Sequence, residues 1–205
     1  MKRTVFVILF FCLTIFSVKA QEFHFIPKIG LNLSTITNLY DVNVRPGLNV
    51  GIAGEFLFTP NFAVEPGIYY SMQGVKSDLL VSEEPGGAKD GTLTWGADYL
   101  NIPVYAKWYT NLGGLYFFGG PQFGFKVKET NKIKLAGGGD YDDFDKDKSH
   151  FKVFDFGLGI GAGYLFSSGF LFSAGYTIGF INPLEIDYKK TSLNSVFQFN
   201  AGWRF

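Results

Sequence analysis

Three aspartates, Asp143, Asp145 and Asp147, stand at alternate positions in one acidic stretch. The first ligands of an EF-hand loop approach calcium with that spacing, because calcium is a hard cation that takes oxygen donors. The rest of the motif does not follow. Lys148 stands where the sharp turn needs glycine, and Phe154 where the bidentate glutamate belongs. A solvated acidic loop accounts for the same residues, so calcium is only a partial match and no cofactor is expected. The chain has two histidines, His24 and His150. A hydrolase acting on membrane lipid would need histidine beside serine and a carboxylate. Ser149 and His150 adjoin Asp147 at the edge of a polar stretch, while His24 precedes the first alternating run. A lone loop histidine is more often solvated than catalytic, and no enzymatic activity is expected. The glycines at 157, 159, 161 and 163 lead into no helix, so they are not a phosphate cradle.

The elements that must position these residues are strands. Of 205 residues, 24 are Phe and 26 are Gly. Aromatics favour strands and glycine is depleted from them, so both being abundant calls for a special sheet. The first twenty residues read as a cleaved secretory signal. Lys2 and Arg3 precede a short apolar core, and Val18-Lys19-Ala20 is a small-residue cleavage site. The mature domain then spans 21–205. Losing Lys2, Arg3 and Lys19 takes the basic count from 18 to 15 against 18 acidic residues. That balance argues against a nucleic-acid partner. The only cysteine, Cys12, leaves with the signal, which excludes disulfides, thiolate metal sites and thiol nucleophiles.

Apolar residues then recur at every second position in eight runs, about 26–35, 46–59, 62–75, 94–109, 114–127, 151–166, 170–181 and 194–205. Three connections are tight: Thr59-Pro60-Asn61, Asn111-Leu112-Gly113 and Ser167-Ser168-Gly169. The other four, 36–45, 76–93, 128–150 and 182–193, are long and polar. Short turns at one end and long loops at the other are the pattern of an outer-membrane barrel. The expected fold is all-β: an eight-stranded antiparallel transmembrane up-and-down β-barrel, with its termini on the periplasmic side.

One face of each run is apolar, as in Phe154, Phe156, Leu158, Ile160, Ala162 and Tyr164. A soluble lipocalin-like carrier would turn that face inward. Eight strands enclose space only for side chains, however, and these residues would overfill it. Aromatics also gather beside the tight turns (Phe58, Phe62, Trp108, Phe166, Phe170, Trp203 and Phe205), as at a membrane interface. The apolar face therefore points to lipid. The interior is expected to hold Lys28, Asn32, Glu55, Glu65, Lys107, Gln122, Lys126, Asp155, Asn200 and Arg204 as a paired polar plug, since buried ions are costly unless paired. Inward Tyr69, Tyr99, Tyr105 and Tyr116 should complement the inward glycines of 157–163.

Two stretches carry a family resemblance: Phe62-Ala63-Val64-Glu65-Pro66-Gly67-Ile68-Tyr69-Tyr70-Ser71-Met72-Gln73-Gly74 and Tyr99-Leu100-Asn101-Ile102-Pro103-Val104-Tyr105-Ala106-Lys107. With the opening Lys28-Ile29-Gly30-Leu31-Asn32, they resemble the PorT-like eight-stranded outer-membrane barrels of Gram-negative bacteria. Pro66 and Gly67 depart from that family's leucines, and Asn101 from its acidic residue. The last strand, with Phe199, Ala201, Trp203 and Phe205, resembles the sorting signal that the barrel-assembly machinery reads by strand pairing. The barrel reading leads to a monomer in outer-membrane lipid that displays loops 76–93 and 128–150 in a structural, adhesive or partner-binding role, since function concentrates on loops. The resemblance implies, alternatively, an accessory of a secretion system.

Overall fold

The computed structural model describes residues 22–39, 41–83, 87–135, 140–142, 150–185 and 192–205. The signal segment, Asp143, Asp145, Asp147 and Ser149 lie outside the described residues. The strands are β1 (Glu22–Ile36), β2 (Asn43–Thr59), β3 (Phe62–Glu83), β4 (Gly87–Tyr109), β5 (Leu115–Leu135), β6 (Asp140–Asp142), β7 (Phe154–Leu165), β8 (Phe170–Gly179) and β9 (Asn194–Trp203). Eight of them form a ring of antiparallel neighbours, closed by β9 on β1 and by β4 on β5. The short β6 pairs only with β5, outside the ring. This is the expected eight-stranded barrel.

Closure follows from the backbone. A sheet in lipid has no water to satisfy an open edge, so every strand needs two neighbours. Short turns set the register. Thr59 Oγ1 accepts the Phe62 amide at 3.0 Å, while Gly113, Gly114 and Gly169 take positive φ of 56°, 106° and 93°. A side chain would strain those three positions.

Alternation fixes the faces. Ile29, Leu48, Ile52, Phe117, Ile160, Phe172 and Phe199 are exposed, whereas Asn32, Glu55, Glu65, Ser71, Asn101 and Lys107 are buried. Rings fill the glycine wall of β7. A β-carbon at Gly159 would meet the Tyr105 ring, one at Gly161 the Phe118 ring and one at Gly163 the Tyr116 ring.

Four expectations are corrected. The stretch 76–93 is not an irregular loop: β3 and β4 stay paired from Lys76 opposite Thr94 to Glu83 opposite Gly87. Likewise β5 follows β4 from Lys128 opposite Asp98 to Leu135 opposite Gly91. Polarity misled here because a sheet in water needs no apolar face to keep its ladder. The sixth run is expected from 151, but β7 begins at Phe154. Phe151 instead bridges to Leu184 across the barrel mouth. His24, expected outside the first run, sits within β1.

Candidate functional site

Five charges, four of them on β1 to β4 and one just past the end of β9, meet inside the barrel near the tight turns. Lys107, on β4, is 1% exposed and reaches both carboxylates. Its Nζ donates to Glu55 of β2 and, at 3.0 Å, to Oε2 of Glu65 of β3. Lys28 of β1 donates to Glu65 Oε1 at 2.5 Å. Arg204, just beyond β9, donates to Glu55 Oε2 at 3.2 Å. Tyr109 also donates its hydroxyl to Glu55. The Lys107 ammonium lies 4.3 Å from the centre of the Tyr116 ring and 5.1 Å from that of Tyr109, within reach of their negative faces.

The other two expected interior charges lie apart from this cluster. Asp155 accepts from Asn194 Nδ2 at 2.7 Å and from the Phe156 amide at 2.9 Å. Lys126 pairs with Glu129 at 3.0 Å and donates to the Phe151 carbonyl. The interior is therefore a tight cluster at one end, an isolated carboxylate higher up and a latch at the mouth.

Sequence reading missed several polar residues. Arg45 donates to the Gln73 carbonyl and stands 3.8 Å from Asp98, which accepts the Tyr70 hydroxyl. Arg45 lay at the edge of an expected loop, and Asp98 sits beside a register shift between β4 and β5 that alternation cannot locate. Glu129 falls within the expected loop 128–150, but it lies on β5. It accepts the His150 amide at 3.0 Å and lies 3.1 Å from His150 Nδ1. The His150 ring packs edge-on to Trp95. Next to it, Phe151 and Leu184 join Ile36, Val75, Ala97 and Tyr99 in a buried apolar cap. Backbone bonds from Lys152 to Pro183 at 2.7 Å and from Glu185 to His150 at 2.9 Å hold the cap together. At the other end, His24 Nδ1 lies 2.9 Å from the Phe205 carbonyl oxygen and its Nε2 lies 3.3 Å from Glu22. The described side-chain partners of the two histidines are carboxylates, Glu22 for His24 and Glu129 for His150. Phe199, Ala201 and Trp203 pair with Leu31, Ile29 and Phe170, and the Phe205 amide donates to Phe25 at 3.0 Å.

A family model described as "Outer membrane protein beta-barrel domain" matches residues 19–185. The chain belongs to this family. Solved structures with a similar fold include Neisserial surface protein A, at 13% identity over 89% of this chain and 97% of that one, with a TM-score of 0.44. Ail, the attachment invasion locus protein of Yersinia pestis, solved with the heparin analogue sucrose octasulfate, is 16% identical over 90% and 99% with a TM-score of 0.48. OprG from Pseudomonas aeruginosa is 16% identical over 89% and 95% with a TM-score of 0.44. No curated protein matches the chain.

Membership of an outer-membrane family assigns the exposed apolar band to lipid and the tight turns to the periplasmic side. On β5 the last exposed apolar side chain is Val127, and Lys128 and Lys134 beyond it are exposed. Glu129 therefore stands outside the spanning segments. Burial raises its carboxyl, but the hydrogen bonds from Lys126 and from His150 outweigh that and hold it below its ordinary value of 4.5. Above the band, β3, β4, β5 and β6 continue as one sheet projecting from the membrane.

Proposed function

We propose that this outer-membrane barrel is a non-enzymatic display scaffold, in which a closed spanning ring holds the projecting β3–β4–β5–β6 sheet outside the cell to bind a partner. One observation carries the reading. The interior is crossed by paired charges and roofed by an apolar cap, while three ring strands run on beyond the apolar band. A transporter would invest its sequence in the lumen; here the length lies in the outer sheet. The ligand class is a protein surface, because an extended sheet offers ladder edges and alternate side chains but no enclosed pocket. The chain works as a monomer in outer-membrane lipid, delivered by its cleaved signal and inserted by the assembly machinery through Phe199, Ala201, Trp203 and Phe205.

Trimming residues 77–92 to a short turn tests this. The trimmed chain should still reach the outer membrane and still shift mobility on boiling, yet lose adhesion of expressing cells to host or bacterial surfaces. Unchanged adhesion, or single-channel conductance by the intact barrel, would contradict the proposal. The PorT-like stretches 62–74 and 99–107 favour a second reading, an accessory of a secretion apparatus. Trimming would then impair secretion of other proteins and leave adhesion unaffected.

A further inference from the structure

We infer that the barrel interior binds a short file of ordered water, about three molecules, running from the ionic cluster to Asp155. Two small chambers lie one above the other in the lumen. The lower, of about 30 Å³, is lined among others by Lys28, Glu65, Asn49 and Asn101. The upper, of about 10 Å³, is lined by Asp155 and Asn194 and shares Asn101 and Gln122 with the lower. A water needs roughly 10–15 Å³ of such volume, so the two chambers hold about two molecules and one.

The chemistry of the walls selects the ligand. Asn49 and Asn101 are each 3% exposed. Asn49 Nδ2 donates to Asn200 at 2.8 Å, but its Oδ1 has no protein partner, and neither has Asn101 Nδ2. Buried polar groups are nearly always paired, because an unpaired one loses its solvation without return. One of these atoms accepts and the other donates. A cation would satisfy only the first and an anion only the second, whereas water satisfies both. The volumes admit nothing larger than a few waters. The file therefore conducts no solute. It links the Lys28–Glu65 pair to Asp155 by hydrogen bonds through Asn101 and Gln122. This inference does not depend on what the outer sheet binds.

The test is water-edited solid-state NMR on the full chain refolded in deuterated lipid. Magnetisation should pass from water to the side-chain amides of Asn49, Asn101 and Asn194. Exposed Asn111 serves as the positive control. Replacement Asn101→Leu should abolish transfer to Asn194 while transfer to Asn49 persists, and Gln122→Met interrupts the same junction should the first variant fail to fold. Absence of transfer to both Asn49 and Asn101 in the wild-type barrel, with Asn111 responding, would overturn the inference. Undiminished transfer to Asn194 in a folded junction variant would break the link between the chambers and overturn it as well.

Discussion

The ionic cluster sets three cations, Lys28, Lys107 and Arg204, against two carboxylates, Glu55 and Glu65. Its members are not equally expendable. Replacement Glu65→Gln leaves three cations, two of them with buried side chains, facing one carboxylate, and both Lys28 and Lys107 lose a partner. Removing one side of a buried pair costs about 3–5 kcal/mol. Replacement Lys107→Met is a larger change in shape but leaves two neutral pairs: Lys28 on Glu65 at 2.5 Å, and Arg204 on Glu55 at 3.2 Å with Tyr109 in support. The lost charge-assisted bonds are offset by ending the desolvation of a third cation, so the expected cost is about 1–3 kcal/mol. The difference, roughly 2 kcal/mol, is more than tenfold in the folding equilibrium. Urea titration in lipid vesicles, read by the boiling-sensitive gel band and extrapolated linearly, resolves it. The double variant Lys28→Met/Glu65→Gln restores the wild-type excess of one cation and should recover part of the Glu65→Gln loss. If Lys107→Met proves as damaging as Glu65→Gln, or the double variant is worse than Glu65→Gln alone, the charge-count reasoning is wrong.

Other perturbations probe the remaining parts. Ile160 is 58% exposed on the lipid face, so Ile160→Arg should cost about 2–4 kcal/mol near the midplane in lipid refolding. Gly161→Ser points inward and on alternation alone would be mild. A β-carbon there meets the Phe118 ring and the Ala174 carbonyl, so overpacking of about 1–3 kcal/mol is expected, partly relieved by Phe118→Leu. The Glu129 carboxyl is held below its ordinary value, so its contribution to the cap is complete above the unfolded value of 4.5 and is lost as pH falls through the lower folded value. Amide protection factors at His150 and Phe151, taken relative to the intrinsic exchange rate at each pH, should fall on acidification in the wild type, and should be low and pH-insensitive in that window for Glu129→Gln. Deleting Phe205 removes the bond to Phe25 and the His24 contact, and the membrane-assembled fraction should fall relative to full-length chain on a boiled-versus-unboiled gel.

The two-residue period, the three tight turns and the aromatics beside them determined the ring and which face meets lipid. These are local signals, carried by spacing along one strand, and closure follows because lipid tolerates no open edge. The inward positions of Lys28, Glu55, Glu65, Lys107 and Arg204 were legible for the same reason. Who pairs with whom was not. Lys107 chooses Glu55 and Glu65 because ring closure and stagger bring β2, β3 and β4 to one height, and no single strand encodes that register. Polar stretches were read as loops because a solvated ladder and a coil share a composition, so only the pairing of 76–83 with 87–94 separates them. Arg45, Asp98 and Glu129 were hidden by register shifts and by that same ambiguity. The cap of Phe151 and Leu184 depended wholly on tertiary structure, since two residues far apart in sequence meet only once the barrel mouth exists to be covered.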